Sequence, residues 1–374
     1  MKIIVTTARI LTGLLFIFSG LVKAIDPRGL AYKMQEFFEA WANDGFMKGL
    51  MGSLNHYALS FSLIMITLEV VVGVALLVGW QKKITTWILL LLMLFFTFLT
   101  SYVLFSGKIR ACGCFGDCIP LTPIQTFTKD IILLVLAILL LIKRKYIAPV
   151  AKPFFSFLYV SLATIFVLIL QFHVLKHLPL VDCLPYKKGN DILKLMEMPA
   201  DAVQDKYDFV FVYEKDGTKK EFPVSALPDS TWKFSERKEM LIQKGKNNIP
   251  AINDFSLNSD SANITSSILS NPGEYYLIFI KELPEHADDW LTEFKRINNQ
   301  AKEQHKEIYV VTSERDAIEN FLKQNNITLD GLLTCDATVI KTVARVNPTL
   351  YKMKGPVVQG KWAGADLGEV GVGR

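Results

Sequence analysis

The chain has 374 residues but only five cysteines and five histidines, and just 21% of its residues are charged. Five cysteines do not make a disulfide-built scaffold, and a chain of this length needs none to hold a core. No Cys-x2-Cys pair occurs, so the usual dithiol motif of the oxidoreductases is missing. Acidic residues are scarce in the first half. Residues 1–178 hold 16 Lys and Arg against 7 Asp and Glu, whereas residues 179–374 hold 25 against 29. The basic surplus sits at the ends of apolar runs, which excludes a nucleic-acid footprint and points to a membrane half joined to a soluble half. Apolar residues make up 51% of the chain and the mean hydropathy is +0.29, values that exclude a disordered or fibrous protein.

Five apolar runs reach the length of about 20 helical residues that a bilayer requires. They are Ile3–Val22, Leu59–Trp80, Ile84–Phe105, Pro123–Ile142 and Phe154–Phe172. The runs are continuous rather than alternating, so helices are expected and a β-barrel is not. Lys2 and the Val22-Lys23-Ala24 end of the first run also fit a signal peptide. Arg9 within it and the four spans that follow favour retention. The short basic loops Gln81-Lys82-Lys83 and Lys143–Lys152 belong on the cytoplasmic side. An odd number of spans then puts the 24–58 loop, the 106–122 loop and everything after about residue 173 outside, with all five cysteines. Ionisable residues inside the spans need a partner or a task. Arg9 and Glu69 are expected either to pair with each other or to form a polar site for a quinone headgroup or a proton path; Asp130 is the third such residue. Gly13 and Gly20 offer a face through which two copies could pair.

Between the third and fourth spans the chain reads Arg110-Ala111-Cys112-Gly113-Cys114-Phe115-Gly116-Asp117-Cys118. Three sulfurs within seven residues, with glycines that permit tight turns, call for chemistry. Lys108 and Arg110 upstream favour the thiolate form. Cys183, just past the fifth span, is a candidate fourth thiol, and four cysteines allow three pairings. Three readings stand: a thiol relay through Cys112, Cys114, Cys118 and Cys183, a structural clamp, and a thiolate metal site. Cys-x-Cys-x3-Cys lacks the usual metal-binding pairs, and His173 and His177, on one helical face, read as interfacial capping rather than as ligands.

Residues 1–142 resemble the DoxX/MauE family of four-helix membrane proteins. The resemblance rests on Arg9-x3-Gly13-x2-Phe16-x2-Ser19-Gly20-x2-Lys23 with Asp26-Pro27, on Glu69-x3-Gly73-Val74-Ala75-Leu76-Leu77-x-Gly79, and on the MauE-like Cys112-Gly113-Cys114-Phe115-Gly116. It implies an inner-membrane protein tied to oxidative or disulfide chemistry, such as the maturation of a disulfide-rich exported enzyme alongside a thioredoxin-like partner. The layout is also similar to the quinone-linked thiol oxidases of the VKOR and DsbB type, although the missing Cys-x2-Cys departs from them.

Beyond residue 173 a connector carries the aromatic run Tyr207–Tyr213 and an Asp216-Gly217 turn, the signature of a hairpin. Residues 249–366 alternate strand and helix signals, with strands at Tyr275–Ile280 and Ile308–Thr312, helices at Asp288–Gln304 and Asp316–Asn325, and a closing hairpin. This segment resembles a TlpA-type thioredoxin-like domain: Ile249–Leu257 is similar to the opening strand and Pro348-Thr349-Leu350 to the cis-proline strand. The resemblance implies client binding at Asn347, Pro348 and Thr349. Where that family carries its dithiol, this chain has Lys281–Trp290 with His286 and no sulfur, so the domain cannot exchange disulfides alone. Cys335 reads as a small core residue.

The expected fold is therefore an α-helical membrane bundle of four to five spans followed by an α/β thioredoxin-like domain. Its parts are 1–142, a fifth helix in 143–172, a connector at 173–248, the thioredoxin-like domain at 249–366 and a flexible tail at 367–374. The expected protein is multi-pass in the inner membrane with its C-terminal domain outside. It assists disulfide chemistry or maturation of exported proteins through the loop cysteines, or acts as a non-catalytic envelope assembly factor. Its partners would be the lipid bilayer and an exported client or envelope protein, with a quinone as the one cofactor such a layout suggests.

Overall fold

The computed structural model describes all residues but 110–111, 244, 284–287 and 373–374. Among the described residues, five helices are long and apolar enough to cross a membrane. They are α1 (Lys2–Ala24), α4 (Ala58–Val78), α5 (Lys82–Ser106), α6 (Pro123–Ile142) and α7 (Pro153–Lys176). Between the first two lie the shorter α2 (Pro27–Asn43) and α3 (Lys48–His56). Sequence patterning alone reads this stretch as a loop. Asp26 caps α2 by accepting from the Gly29 amide at 3.0 Å, and Pro27 starts the helix. Leu30, Met34, Phe37 and Phe38 then form a buried face against α4.

The bundle is drawn together where side chains are smallest. A Cβ on Gly73 would lie 2.9 Å from the Gly13 carbonyl, so α1 and α4 touch backbone to backbone. Gly20 likewise packs against Val70. Both glycines are thus used within the chain, and the face that could have paired two copies is packed on α4. Outward, Ile3, Leu91, Val135 and Ile169 are exposed, as lipid-facing positions should be.

The part after α7 begins with α8 (Ile192–Met196) and a three-stranded antiparallel sheet of order β2-β1-β3, from β1 (Lys206–Lys215), β2 (Thr218–Pro223) and β3 (Lys233–Gln243). The turn residues Asp216 and Gly217 have φ of 50° and 77°, the left-handed pair of a two-residue hairpin. The terminal unit follows: α9 (Thr265–Leu269), β4 (Glu274–Ile280), α10 (Asp288–Glu303), β5 (Ile308–Thr312), α11 (Arg315–Gln324), β6 (Gly331–Thr334), α12 (Ala337–Val343), β7 (Thr349–Lys354) and β8 (Val357–Ala363). Its sheet has the order β6-β5-β4-β7-β8, with β4, β5 and β6 parallel and β7 and β8 antiparallel. Alternate residues of β4 face opposite sides. Tyr275, Leu277 and Phe279 meet α9 and α12, while Tyr276, Ile278 and Ile280 meet α10 and α11. This is an α/β sandwich of thioredoxin-like topology, with the Asn347–Pro348 bond cis.

Two expectations fail here. Residues 249–257 form no strand; Asn258 makes only isolated bridges to Asn263 and Thr334. The glycine-rich tail is packed rather than frayed: Leu367 and Val370 are buried, and Arg296 donates to both of their carbonyls.

The cysteine loop, α2 and the sandwich meet at one end of the bundle. Arg345, at the end of α12, inserts between Asp26 (2.8 Å) and Asp117 (2.7 Å), with its guanidinium 5.4 Å from the Tyr32 ring. Lys361 meets Asp182 at 2.9 Å, and His177, stacked on His173, meets Asp366 at 2.5 Å. Taking one member out of a buried ion pair costs about 3 kcal/mol. Arg345→Ala is therefore expected to speed amide exchange in α2 and residues 112–121 by a comparable opening free energy, with β4 and β5 unchanged by hydrogen-exchange mass spectrometry.

Candidate functional site

The five cysteines fall into three environments. Cys118 and Cys183 form a disulfide, so the loop between the third and fourth spans is tied covalently to the chain leaving the fifth. Both are only half-buried. Cys183 lines a groove of about 560 Å3 between α2 and α12, together with Tyr32, Lys33, Lys341 and Arg345. Cys112 and Cys114 are free and buried, 7% and 8% exposed. Cys335 is buried in the core of the sandwich, and burial pushes its thiol up to about 11, as fits a packing residue.

Cys112 and Cys114 are hydrogen-bonded to each other, with the Cys112 thiol donating. Donation holds the Cys114 thiol below its ordinary value, with Lys129 and Lys23 adding positive potential. The same bond, and burial, hold Cys112 well above. The two thiols therefore titrate as an interacting pair, in which one proton is held more tightly than the other. Gly113 makes this turn at φ 72°, a conformation closed to most side chains. Lys108 is not beside these sulfurs; it pairs with Asp44. Arg110 and His286 lie outside the described residues.

Beneath Cys114 the bundle holds a cluster of buried charges. Lys23 pairs with Glu69 at 2.5 Å, both under 5% exposed. Ser19 donates its hydroxyl proton toward the other Glu69 oxygen and toward the Cys114 carbonyl, each at 3.0 Å. Lys129 pairs with Asp130 at 2.8 Å and lies 4.9 Å from the Phe115 ring. Ser19, Lys23, Glu69, Cys114, Lys129 and Asp130 surround a cavity of about 20 Å3, room for about one water.

The expected Arg9–Glu69 pair does not form. Arg9 donates to the carbonyls of Leu76 (2.7 Å), Leu77 (2.5 Å) and Ala148 (2.7 Å). It caps α4, whose last carbonyls have no partner inside the helix and carry its negative dipole end. Glu69 lies about two turns away and takes Lys23 instead. The two residues share no site, and the cavity beside Glu69 is far too small for a quinone ring. The structure thus offers Arg9 and Glu69 no quinone to hold. Hydropathy could flag these charges as costly, but it could not say which carbonyl or carboxylate each would find.

The cis-proline strand is held by its own packing and hydrogen bonds. Pro348 is buried against Gly364, and Thr349 is fully buried, its hydroxyl donating to the Val346 carbonyl. The Asn347 amide is occupied, accepting from the Lys281 N–H at 2.9 Å and donating to the Glu282 carbonyl at 2.6 Å. Asn347 thereby pins the segment that follows β4.

With this geometry in view, comparison with known proteins is informative for the bundle. Residues 1–143 match the family described as methylamine utilisation protein MauE. Residues 207–244, the small sheet, match a domain of unknown function, DUF8463. Protein TlpB of Flavobacterium psychrophilum is 34% identical over 137 residues, 36% of this chain and 35% of that protein, so the match spans about a third of each. A crystal structure of a DsbF homologue from Corynebacterium diphtheriae is similar with a TM-score of 0.24 and 11% identity, over 30% of this chain and 77% of that one. The MauE-like half therefore contains the free cysteine pair, one end of the disulfide and the whole charge cluster.

Losing a charge-assisted hydrogen bond of about 1.4 kcal/mol is worth about tenfold in an equilibrium. Cys112→Ala should accordingly raise the Cys114 pKa and slow its alkylation at pH 7 by about tenfold. The difference should close at alkaline pH, as read by iodoacetamide labelling and peptide mass.

Proposed function

We propose that this is a membrane-embedded thiol–disulfide protein that assists the maturation of exported proteins. One observation carries the reading: a buried, polarised dithiol and a half-exposed disulfide occur within one seven-residue turn and its tether. The thiolate of Cys114 attacks one sulfur of the Cys118–Cys183 bridge and the other sulfur leaves as a thiolate. Cys112 then displaces the second, giving a Cys112–Cys114 bridge with Cys118 and Cys183 reduced. Two electrons pass between the pairs, and the two thiol protons end on the released sulfurs. An incoming thiol or disulfide reaches Cys183 through the groove between α2 and α12, so the half-exposed pair exchanges with the client and the buried pair stores or supplies the electrons.

The similarity of residues 1–143 to MauE and the partial match to TlpB support a membrane maturation role of this kind. The basic segments 82–83 and 143–152 at the opposite end of the bundle favour an inner-membrane placement with the cysteines and sandwich outside. A TlpA-type ancestry for the sandwich fits its topology and its cis-proline, with the dithiol lost.

A second reading has its own support. The sandwich has no Cys-x2-Cys, so on this reading it serves as a docking module and the disulfide as a clamp for an envelope assembly factor. Equilibrating the full-length protein in glutathione buffers and trapping its thiols separates the two. A relay opens and re-forms its bridge at potentials above about −250 mV, whereas a clamp stays closed until well below −300 mV. Cys112→Ser with Cys114→Ser should abolish bridge migration in a relay and change nothing in a clamp.

A further inference from the structure

The charge cluster under the cysteine turn contains one atom that its neighbours do not satisfy. Asp130 is 1% exposed. Its Oδ1 takes Lys129, while its Oδ2 is buried and has no hydrogen-bond partner among the described residues. A buried carboxylate oxygen left open is costly, and such an oxygen calls for a ligand or a task. Asp130 lines the same one-water cavity as Cys114.

The groups around it come from every neighbouring element. From α1 there are Ser19 and Lys23, from α4 Glu69, from α6 itself Lys129, and from the loop Cys112 and Cys114; α5 contributes only the apolar Met93 and Phe96. With both thiols protonated, two ammoniums balance two carboxylates. Ionising Cys114 into bulk water would leave this low-dielectric pocket with a net negative charge. If the proton instead moves to Asp130, the thiolate forms while the cluster stays neutral.

We propose that Asp130 is the proton acceptor for the Cys112/Cys114 dithiol, taking the Cys114 proton across the cavity that Asp130 and Cys114 both line. This rests on the relay reading. Cys114 gives its proton to Asp130 Oδ2, directly or through one water, and its thiolate attacks an acceptor disulfide. Cys112 resolves the mixed disulfide. Two electrons leave the pair, and its two protons end on the two acceptor sulfurs, one of them by way of Asp130. Glu69 is unsuited to the task because both of its oxygens already have partners, Lys23 and Ser19.

The test is the rate at which the reduced full-length protein, carrying Cys335→Ala, oxidises its Cys112/Cys114 pair with bis(2-hydroxyethyl) disulfide between pH 5.5 and 9.5. The reaction is stopped with acid and read by peptide mass. Asp130→Asn should be about tenfold slower at pH 7 and lose the acidic limb of the profile, converging on wild type at high pH where hydroxide takes the proton. Asp130→Glu should retain an acidic limb. An Asn variant with the wild-type profile overturns the inference and leaves the relay standing. A wild-type pair that forms no mutual disulfide at any pH overturns the relay and this inference together. Should Asp130→Asn fail to keep the Cys118–Cys183 bridge, Asp130→Glu decides: a shifted acidic limb supports proton transfer, and an unmoved one contradicts it.

Discussion

The Cys118–Cys183 bridge is the constraint on which the rest of the architecture depends. It joins two segments 65 residues apart in sequence, the turn between the third and fourth spans and the chain that leaves the fifth. Once these are fastened, the sandwich has little choice but to sit over the cysteine turn. Arg345 completes the fastening, because its charge leaves water only by facing Asp26 and Asp117 together. Asp26 in turn caps α2, so a single carboxylate links the start of a bundle helix to the docking of the soluble domain.

Inside the bundle the same logic governs charge. A hydrocarbon environment tolerates ions only in mutually satisfied sets. Lys23 with Glu69 and Lys129 with Asp130 form such a set from three helices, and Ser19 connects it to the backbone of Cys114. Arg9 solves a different problem at the opposite end, where it holds the open carbonyls of α4. The cysteine turn thus sits on a polar floor built into an apolar bundle, where Lys129 and Lys23 add positive potential beside Cys114.

Much of this was legible in the sequence. The five spans were visible because unbroken apolar runs of that length admit few alternatives, and the alternation of strand and helix signals disclosed the sandwich. The cysteine turn announced itself by density alone. Other features were hidden for physical reasons. α2 is amphipathic and barely apolar on average, so it resembles a polar loop until its buried face meets α4. The partners of Arg9, Glu69 and Arg345 depend on contacts 46 to 319 positions away along the chain. Glycines after Gly364 suggested looseness, yet Leu367 and Val370 supply enough apolar surface to pack the tail beneath α10. The pairing of four cysteines, one of three arrangements, could be chosen only by the fold.

On the proposed reading, the bridged end of the bundle faces an oxidising compartment, where a disulfide persists. The most direct measurement is the sidedness of Cys118 and Cys183. Intact cells are treated with a mild reductant and then with a membrane-impermeant maleimide, and the labelled peptides are compared with those from inverted membrane vesicles. The account predicts that both cysteines are labelled in intact cells and shielded in inverted vesicles. Labelling found only in the inverted vesicles would place the sulfurs in the cytosol and contradict it.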